Sequence, residues 1–327
     1  MASGLHYADI AAPAITRRFL RGRPAYFTAD GARITDKAET ARLDAIALPP
    51  AYTQTWYAAD PRAHILATGI DARGRKQYRY HPDFVAQRDA RKFEGCVQFG
   101  RLLPIIRQRV ERDLARRGLP QERAVASIVR LLDTGRLRVG NECYAQSNGS
   151  FGATTLRTRH AKVRGERLML RFTAKSGRLC TLSVTDRGLT RFVKKMQDLP
   201  GQHLFQYLDE DGNAYPITSS HVNAYIHETM GSDFTAKDFR TWTASVLAFE
   251  WLRNRPAGGT LADMLASVAE RLGNTPAVTR KSYVHPSLIE LAKTGERPGG
   301  SRLPRKTRWL GSCERGLIDF LEQRRES

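Results

Sequence analysis

The repeat of apolar residues changes period near residue 85, and this change constrains the fold more than any other feature of the chain. Before it, short runs of β-type residues, Gly31-Ala-Arg-Ile-Thr and Thr53-Gln-Thr-Trp-Tyr-Ala, are separated by the turn signals Asp30-Gly, Pro49-Pro and Asp60-Pro. Ile65-Leu-Ala-Thr-Gly, followed by Asp71-Ala-Arg-Gly-Arg-Lys-Gln-Tyr-Arg-Tyr-His-Pro, fits a hairpin with a basic, aromatic second strand. After residue 85 the spacing turns helical. Phe99, Leu102, Leu103, Ile106 and Val110 share one face of a helix that Pro104 is expected to kink. Val125, Ile128, Val129 and Leu132 share a face of the next, with Gly135 placed to end it. Alternation then returns briefly. Leu168, Leu170 and Phe172 define one strand, Cys180, Leu182 and Val184 its partner, and Ala174-Lys-Ser-Gly the turn between them.

From about 186 onward helices dominate again. Thr235 to Asp238 has capping-box spacing ahead of Phe239, Trp242, Val246 and Phe249, Thr260 to Leu272 reads as a capped helix stopped by Gly273, and Thr275-Pro276 opens another. The predicted class is α+β: a small β-rich domain over residues 1–85 and a larger, mostly helical domain over 86–327 holding a hairpin or three-stranded sheet. A length of 327 residues also favours two domains. The Gly-, Pro- and Arg-rich stretch from Arg297 to Lys306 is expected to be a mobile basic connection to a last helix, Gly316 to Glu322.

With 41% hydrophobic residues the chain can bury a sizeable core, and 26% charged is ordinary. The imbalance is not ordinary: 53 Lys and Arg against 33 Asp and Glu give a net charge of +20. Such a field draws in polyanions, which makes nucleic acid the first partner to consider, ahead of ribosomal or anionic-membrane association. In the basic strand, Arg73, Arg75, Lys76 and Arg79 interleave with Tyr78 and Tyr80, so that charge can meet phosphates while rings meet sugars or bases. A solvated edge strand guarded by charge is the alternative for that segment. The longest apolar stretch, around Ala244-Ser-Val-Leu-Ala-Phe, is too short to span a bilayer, and the N-terminus carries no signal-like segment. Cys96, Cys143, Cys180 and Cys313 lie far apart without a Cys-x-x-Cys pair, which points to reduced thiols in the cytoplasm. No cluster with metal-ligand spacing is evident, and Asp209-Glu-Asp-Gly reads as an exposed turn, so two-metal nuclease chemistry is disfavoured.

One ordered set of residues carries chemistry. Thr235-Ala-Lys-Asp-Phe-Arg-Thr-Trp is followed by Leu272-Gly-Asn-Thr-Pro and then Arg280-Lys-Ser-Tyr-Val-His-Pro. Together these supply an arginine near a helix N-terminus, a neutral donor held between two helices, and a tyrosine. Cleaving a phosphodiester without water requires a nucleophile for phosphorus, cations for the non-bridging oxygens and an acid for the departing oxygen. A phenol with a pKa of about 10 must lose its proton as it attacks, while a lysine with a pKa of about 10.4 carries one to give. Singly, each such residue has a plainer reading: Tyr283 as packing, Arg138 and Arg240 as ion-pair partners, Lys175 as a solvated turn residue, Asn274 as a cap. His160, His203, His221 and His285 are read as structural or surface residues, and Trp242 and Phe249 as core.

In order, the motifs resemble the type IB DNA topoisomerases of the compact, poxvirus-like kind found in bacteria. The resemblance runs from about Ala12 to Ala292. It rests on Thr68-Gly-Ile-Asp-Ala-Arg-Gly-Arg-Lys-Gln-Tyr-Arg-Tyr-His, Arg138-Val-Gly-Asn-Glu-x-Tyr144, Gly152-Ala-Thr-Thr-Leu-Arg, Phe172-Thr-Ala-Lys-Ser-Gly, Lys237-Asp-Phe-Arg-Thr-Trp and Leu272-Gly-Asn-Thr-Pro through Tyr283. It implies that Tyr283 is the nucleophile, forming a 3′-phosphotyrosyl bond and releasing a 5′-hydroxyl. Arg138 and Arg240 would then clamp the non-bridging oxygens with their forked donors, Lys175 would protonate the 5′-oxygen, and Asn274 would donate a hydrogen bond to a phosphate oxygen. Poxvirus relatives have histidine at that last position; an amide donates but carries no positive charge. Gly140 and Tyr144 match DNA-contacting positions. The resemblance further implies a monomer that closes as a C-shaped clamp on duplex DNA in the cytoplasm, at the nucleoid, relaxing supercoils with no cofactor, ATP or metal. Tyrosine recombinases, the nearest rival, usually carry histidine three residues before the second arginine, where this chain has Lys237. A non-enzymatic architectural DNA binder is the rival of a different class.

Overall fold

Backbone chemistry at Arg21-Gly22 closes the first hairpin. Both residues have positive φ, +50° and +78°, the pairing a two-residue turn needs to match the twist of its strands. β1 (Thr16–Leu20) and β2 (Arg23–Phe27) flank it in antiparallel register, Thr16 opposite Phe27. This hairpin was not anticipated from sequence, and the expected Gly31–Thr35 strand contributes only a single bridge, Arg33 to Phe27. Also unforeseen is α1 (Lys37–Ala45), whose N-cap Asp36 accepts a hydrogen bond from the Ala38 amide at 3.0 Å. The expected strands follow as β3 (Thr53–Tyr57), β4 (Ile65–Ile70) and β5 (Lys76–Tyr80), an antiparallel sheet in the order β3-β4-β5 with β5 at an edge. α2 (Pro82–Glu94) completes the first unit. Its core is Ile15, Tyr26, Leu43, Leu48, Tyr57 and Ala67.

The computed structural model describes residues 4–72, 74–199, 201–231, 234–298 and 302–326. It divides the chain into two units, Met1–Glu94 and Gly95–Ser327. The second is mostly helical, as expected. α3 (Cys96–Leu114) runs through Pro104 as one helix, burying Phe99, Leu103, Ile106 and Val110. α4 (Gln121–Gly135) buries Val125, Ile128, Val129 and Leu132. Its end differs from expectation: Gly135 is still helical and Arg136 makes the left-handed turn, at φ +57°. A Cβ at 135 would lie 2.6 Å from Leu182 Cδ2, the end of a side chain that would have to turn aside.

After α5 (Glu142–Asn148) come β6 (Ala161–Arg164), β7 (Arg167–Thr173) and β8 (Leu179–Thr185), a three-stranded antiparallel sheet in that order. Leu168 pairs with Val184, Leu170 with Leu182 and Phe172 with Cys180, the register the alternation requires. α6 (Arg187–Gln197), the short hairpin β9 (Gln206–Leu208) and β10 (Ala214–Pro216), and α7 (Ser219–Met230) lead into the helices that frame the site. These are α8 (Ala236–Arg253), α9 (Leu261–Leu272), α10 (Pro276–Ser282) and α11 (Pro286–Thr294). Trp242 and Phe249 lie in the core, and the four cysteines are free thiols.

The last helix, α12 (Ser312–Glu326), is twice the length expected. Of the connection expected to be mobile, residues 299–301 lie outside the described residues, while the Pro298 carbonyl accepts from Arg253 at 3.2 Å and the Arg305 carbonyl from Arg315 at 2.5 Å. Arg107 on α3 grips Asp133 (Nε–Oδ2 2.8 Å) and Glu314 (Nη2–Oε1 2.7 Å), and it also donates to the Trp309 carbonyl. Glu314 accepts further bonds from the Gly311 amide at 2.8 Å and from Trp242 Nε1 at 3.2 Å. Burial alone would push the Glu314 carboxyl up, but the bonds from Arg107 outweigh it and hold it low. Glu314→Leu leaves Arg107 paired with Asp133 alone and takes the acceptor from the Gly311 amide and Trp242, and is expected to cost about 1–3 kcal/mol, read as a shift in the urea midpoint at constant m-value.

Candidate active site

Three chain segments converge on the short link between α9 and α10. Gly273 ends α9 in left-handed conformation (φ +62°), and Thr275 caps α10 by accepting from the Val278 amide, with Pro276 at the first helical position. The intervening Asn274 is thereby fixed, 7% exposed, with its own amide bonded to the Ala269 carbonyl at 2.9 Å. The capped-junction reading of the sequence holds here.

Arg138 reaches this asparagine from the segment after α4, Nη2 donating to Asn274 Oδ1. That segment is held by backbone contact: the Ala153 amide donates to the Arg138 carbonyl at 2.8 Å and the Thr154 amide to the Val139 carbonyl at 2.7 Å. The approach tolerates no side chain, since a Cβ on Gly152 would lie 2.5 Å from Gly140 Cα. Gly140 itself, at φ +102°, faces Thr154 Oγ1 so closely that packing accounts for a glycine there. Tyr144, near the start of α5, is 47% exposed.

Arg240 arrives from the first turns of α8. That helix begins as its capping box predicts, with Asp238 Oδ2 accepting from the Thr235 amide at 2.8 Å. Arg240 is 3% exposed. It donates to the Arg136 carbonyl, to the Leu272 carbonyl at 2.8 Å and to Asn274 Oδ1 at 3.3 Å. One guanidinium thus joins the end of α4, the end of α9 and the α9–α10 link. Its Cζ also stands 5.3 Å from the ring centroid of Tyr283, which is half-buried just after α10. Burial pushes Arg240 below its ordinary value and neighbouring Arg138 adds to this, while a hydrogen bond to the Tyr283 side chain opposes it. Burial likewise pushes the Cys180 thiol up, and the same two arginines pull it back.

Neither Arg138 nor Arg240 pairs with a carboxylate among the described residues. Two like charges share one neutral acceptor, a costly arrangement in a buried place unless an anion joins them. Two donors there, Arg240 Nε and Asn274 Nδ2, have no acceptor among the described residues. Because both arginines bond Oδ1, the amide nitrogen must face away from them.

Two contributors escaped the sequence reading. Arg178, just past the β7–β8 turn, donates to the Asn274 carbonyl at 2.8 Å. Ser245, on α8, donates to the Tyr283 carbonyl at 3.4 Å and accepts from the His285 amide at 3.1 Å. The helix that carries Arg240 therefore also holds the main chain of Tyr283. Arg178 could have been suspected as a cation beside the Lys175 turn; a serine in an apolar helix offers no signal. Lys175 itself is not gathered in. It sits exposed at the hairpin tip, where Ser176 and Gly177 both have positive φ, and among the described residues its side chain forms no hydrogen bond or ion pair.

In the first unit the basic strand splits by face, as its period of two requires. Lys76, Tyr78 and Tyr80 share one side, where Tyr78 stacks on Tyr80 at 5.9 Å and Tyr80 on Phe84 at 5.7 Å. Arg79 lies on the other, bonded to the Ala47 carbonyl at 2.9 Å. Arg75 pairs with Asp71 at 2.7 Å. Arg73 lies outside the described residues. Among those residues no group of His, Cys, Asp and Glu could hold a metal ion, and no helix is long and apolar enough to cross a membrane.

Comparison with known proteins gives the family. Residues 76–293 match the family described as eukaryotic DNA topoisomerase I, catalytic core, and residues 24–71 match the bacterial DNA topoisomerase IB N-terminal domain. The chain is 32% identical to DNA topoisomerase 1B of Acanthamoeba polyphaga mimivirus, over 81% of this chain and 83% of that one. It is 22% identical to DNA topoisomerase 1B of vaccinia virus (strain Copenhagen), over 74% and 76%. A XerH site-specific recombinase, solved in a post-cleavage complex, aligns at a TM-score of 0.37 and 14% identity over 57% of this chain and 49% of that chain. A bacterial-type amino-terminal domain followed by this catalytic core places the chain in the type IB DNA topoisomerase family.

Proposed function

We propose that Tyr283 is the nucleophile with which this topoisomerase relaxes supercoiled duplex DNA, and that Arg138, Arg240 and Asn274 form the seat of the scissile phosphate. The convergence of two uncompensated guanidiniums on Asn274, with the Tyr283 side chain bonded to one of them, carries the reading. A phosphate bound there supplies the missing negative charge, and its oxygens meet the free donors Arg240 Nε and Asn274 Nδ2. The Tyr283 oxygen attacks phosphorus as its proton leaves, the bond to the 5′-oxygen breaks, and Lys175 protonates that oxygen. Reversal reseals the strand, the bond energy having been kept in the phosphotyrosine. Lys175 stands on an exposed tip, so the β7–β8 turn must close over bound DNA to deliver its proton. Lys76, Tyr78 and Tyr80 offer the DNA a cationic, aromatic face on the other unit, and Arg73, Arg75, Arg79, Gly140 and Tyr144 complete the proposed contacts. The protein would act as a monomeric clamp on nucleoid DNA in the cytoplasm.

The direct test is relaxation of a supercoiled plasmid with no nucleotide and excess EDTA, using a plasmid without any recombination site. Full relaxation at a rate first-order in protein is the expected result; a requirement for ATP, metal or a paired site would refute it.

Asn274→Asp provides a check of the charge argument. A carboxylate between the two arginines gains two charge-assisted bonds, so the free protein should become more stable by about 1–3 kcal/mol. The same carboxylate repels phosphate, and strand cleavage should fall by on the order of 10². Calorimetry and single-turnover cleavage together read both signs; a fall in both would show that the arginines are not short of negative charge.

A further inference from the structure

Away from these residues, the C-terminal end of α3 with the turn after it, Arg123 and Arg130 of α4, and one side of α6 from Arg187 to Lys195 line a cleft of about 740 Å³. Seven basic side chains face it against two carboxylates, Glu111 and Asp186. Some of that charge is spent locally: Arg130 pairs with Asp186 at 3.3 Å, Arg116 with Asp113 at 3.0 Å, and Arg187 lies 3.8 Å from Glu166. Arg117, Arg123, Arg191 and Lys195 have no carboxylate partner among the described residues.

Arg123 is the unusual member. It is only 6% exposed, stands 5.6 Å over the ring of Phe192 and bonds the Gly118 carbonyl at 2.7 Å, yet its Nε has no acceptor among the described residues. Burial pushes this guanidinium below its ordinary value, and the charge of Arg191 pushes the same way. Holding an enclosed cation beside a second one costs stability unless an anion offsets it. The catalytic residues make no use of this group.

We propose that the cleft binds a compact oligophosphate, of the di- or triphosphate class, with Arg123 as its enclosed contact and Arg117, Arg191 and Lys195 around the rim. The lining supplies charge and forked donors but no aromatic face, so recognition rests on phosphates and not on a base. A concave site with its most enclosed cation set inside suits several charges packed in one small ion. A duplex is a convex rod whose phosphates would meet the rim and miss Arg123.

The test is isothermal titration of the full chain with inorganic tripolyphosphate at about 0.15 M salt, where loose surface attraction is largely screened. Sodium sulfate at matched ionic strength is the comparison. One saturable site is expected, with sulfate not substituting. The double variant Arg191→Glu, Lys195→Glu changes exposed positions only. It should weaken the site on the order of 30-fold while plasmid relaxation and the unfolding temperature stay unchanged. Absence of saturation, equal binding of sulfate, or unchanged affinity in the double variant would each overturn the proposal. So would displacement of tripolyphosphate by a short DNA duplex in wild type, if the double variant had also lost binding of that duplex, because the cleft would then belong to a phosphodiester backbone.

Discussion

Replacing Tyr283 by phenylalanine should abolish the covalent protein–DNA adduct while leaving noncovalent binding of duplex DNA within a few-fold of wild type. The two halves of this expectation have separate causes. The adduct needs the phenolic oxygen, which phenylalanine lacks. Binding depends on the arginines, Asn274 and the basic surfaces, none of which the substitution removes. The ring keeps its place over the Arg240 guanidinium, and the main chain keeps its bonds to Ser245. Protein trapped on nicked DNA after denaturation, beside a filter-binding isotherm, measures both. An adduct that survives the change would remove Tyr283 from the chemistry, and loss of binding would show that the ring is part of the DNA seat.

Arg240→Ala should lower the cleavage rate on the order of 10²–10³, the loss seen when a preorganised donor to a developing oxyanion is deleted. It should also destabilise the fold, because the same side chain bonds the Arg136 and Leu272 carbonyls inside the protein. Arg138 is half-buried and its one side-chain bond among the described residues is to Asn274, so Arg138→Ala should cost a comparable rate with little change in stability. Arg240→Lys separates charge from shape: one ammonium cannot reach the carbonyls, Asn274 and a phosphate at once, so most of the rate loss should persist. Single-turnover cleavage under saturating protein, with urea unfolding alongside, reads the two effects independently. Equal stability losses for both alanine variants would contradict the division of labour between the two arginines.

Much of this architecture was legible from residue types and their spacing. The strands around Lys175 declare themselves because one face of the sheet is buried, so Leu168, Leu170 and Phe172 must alternate with polar residues. The α9–α10 link declares itself through Gly273, Thr275 and Pro276, whose backbone preferences act locally. Local chemistry was also misread. Arg21-Gly22 and Asp36 carried a turn and a cap that were passed over, which cost the β1–β2 hairpin and α1. Gly135 was taken for a helix stop because glycine favours left-handed backbone, whereas the helix runs through it and Arg136 takes the left-handed position.

What periodicity and motif could state was which residue types the chain offers and on which elements they ride, since propensity, capping and burial pattern act over a few neighbouring positions. Which groups touch was settled by packing between segments far apart in the chain. Arg138 and Arg240 share Asn274 across separations of 136 and 34 residues, Arg178 and Ser245 join from elements that advertise no chemistry, and Arg107 fastens a terminal helix that was expected to hang from a loose strap. Such contacts depend on how side-chain volumes and unpaired charges fit together once the core has closed, and no local run of residues encodes that fit.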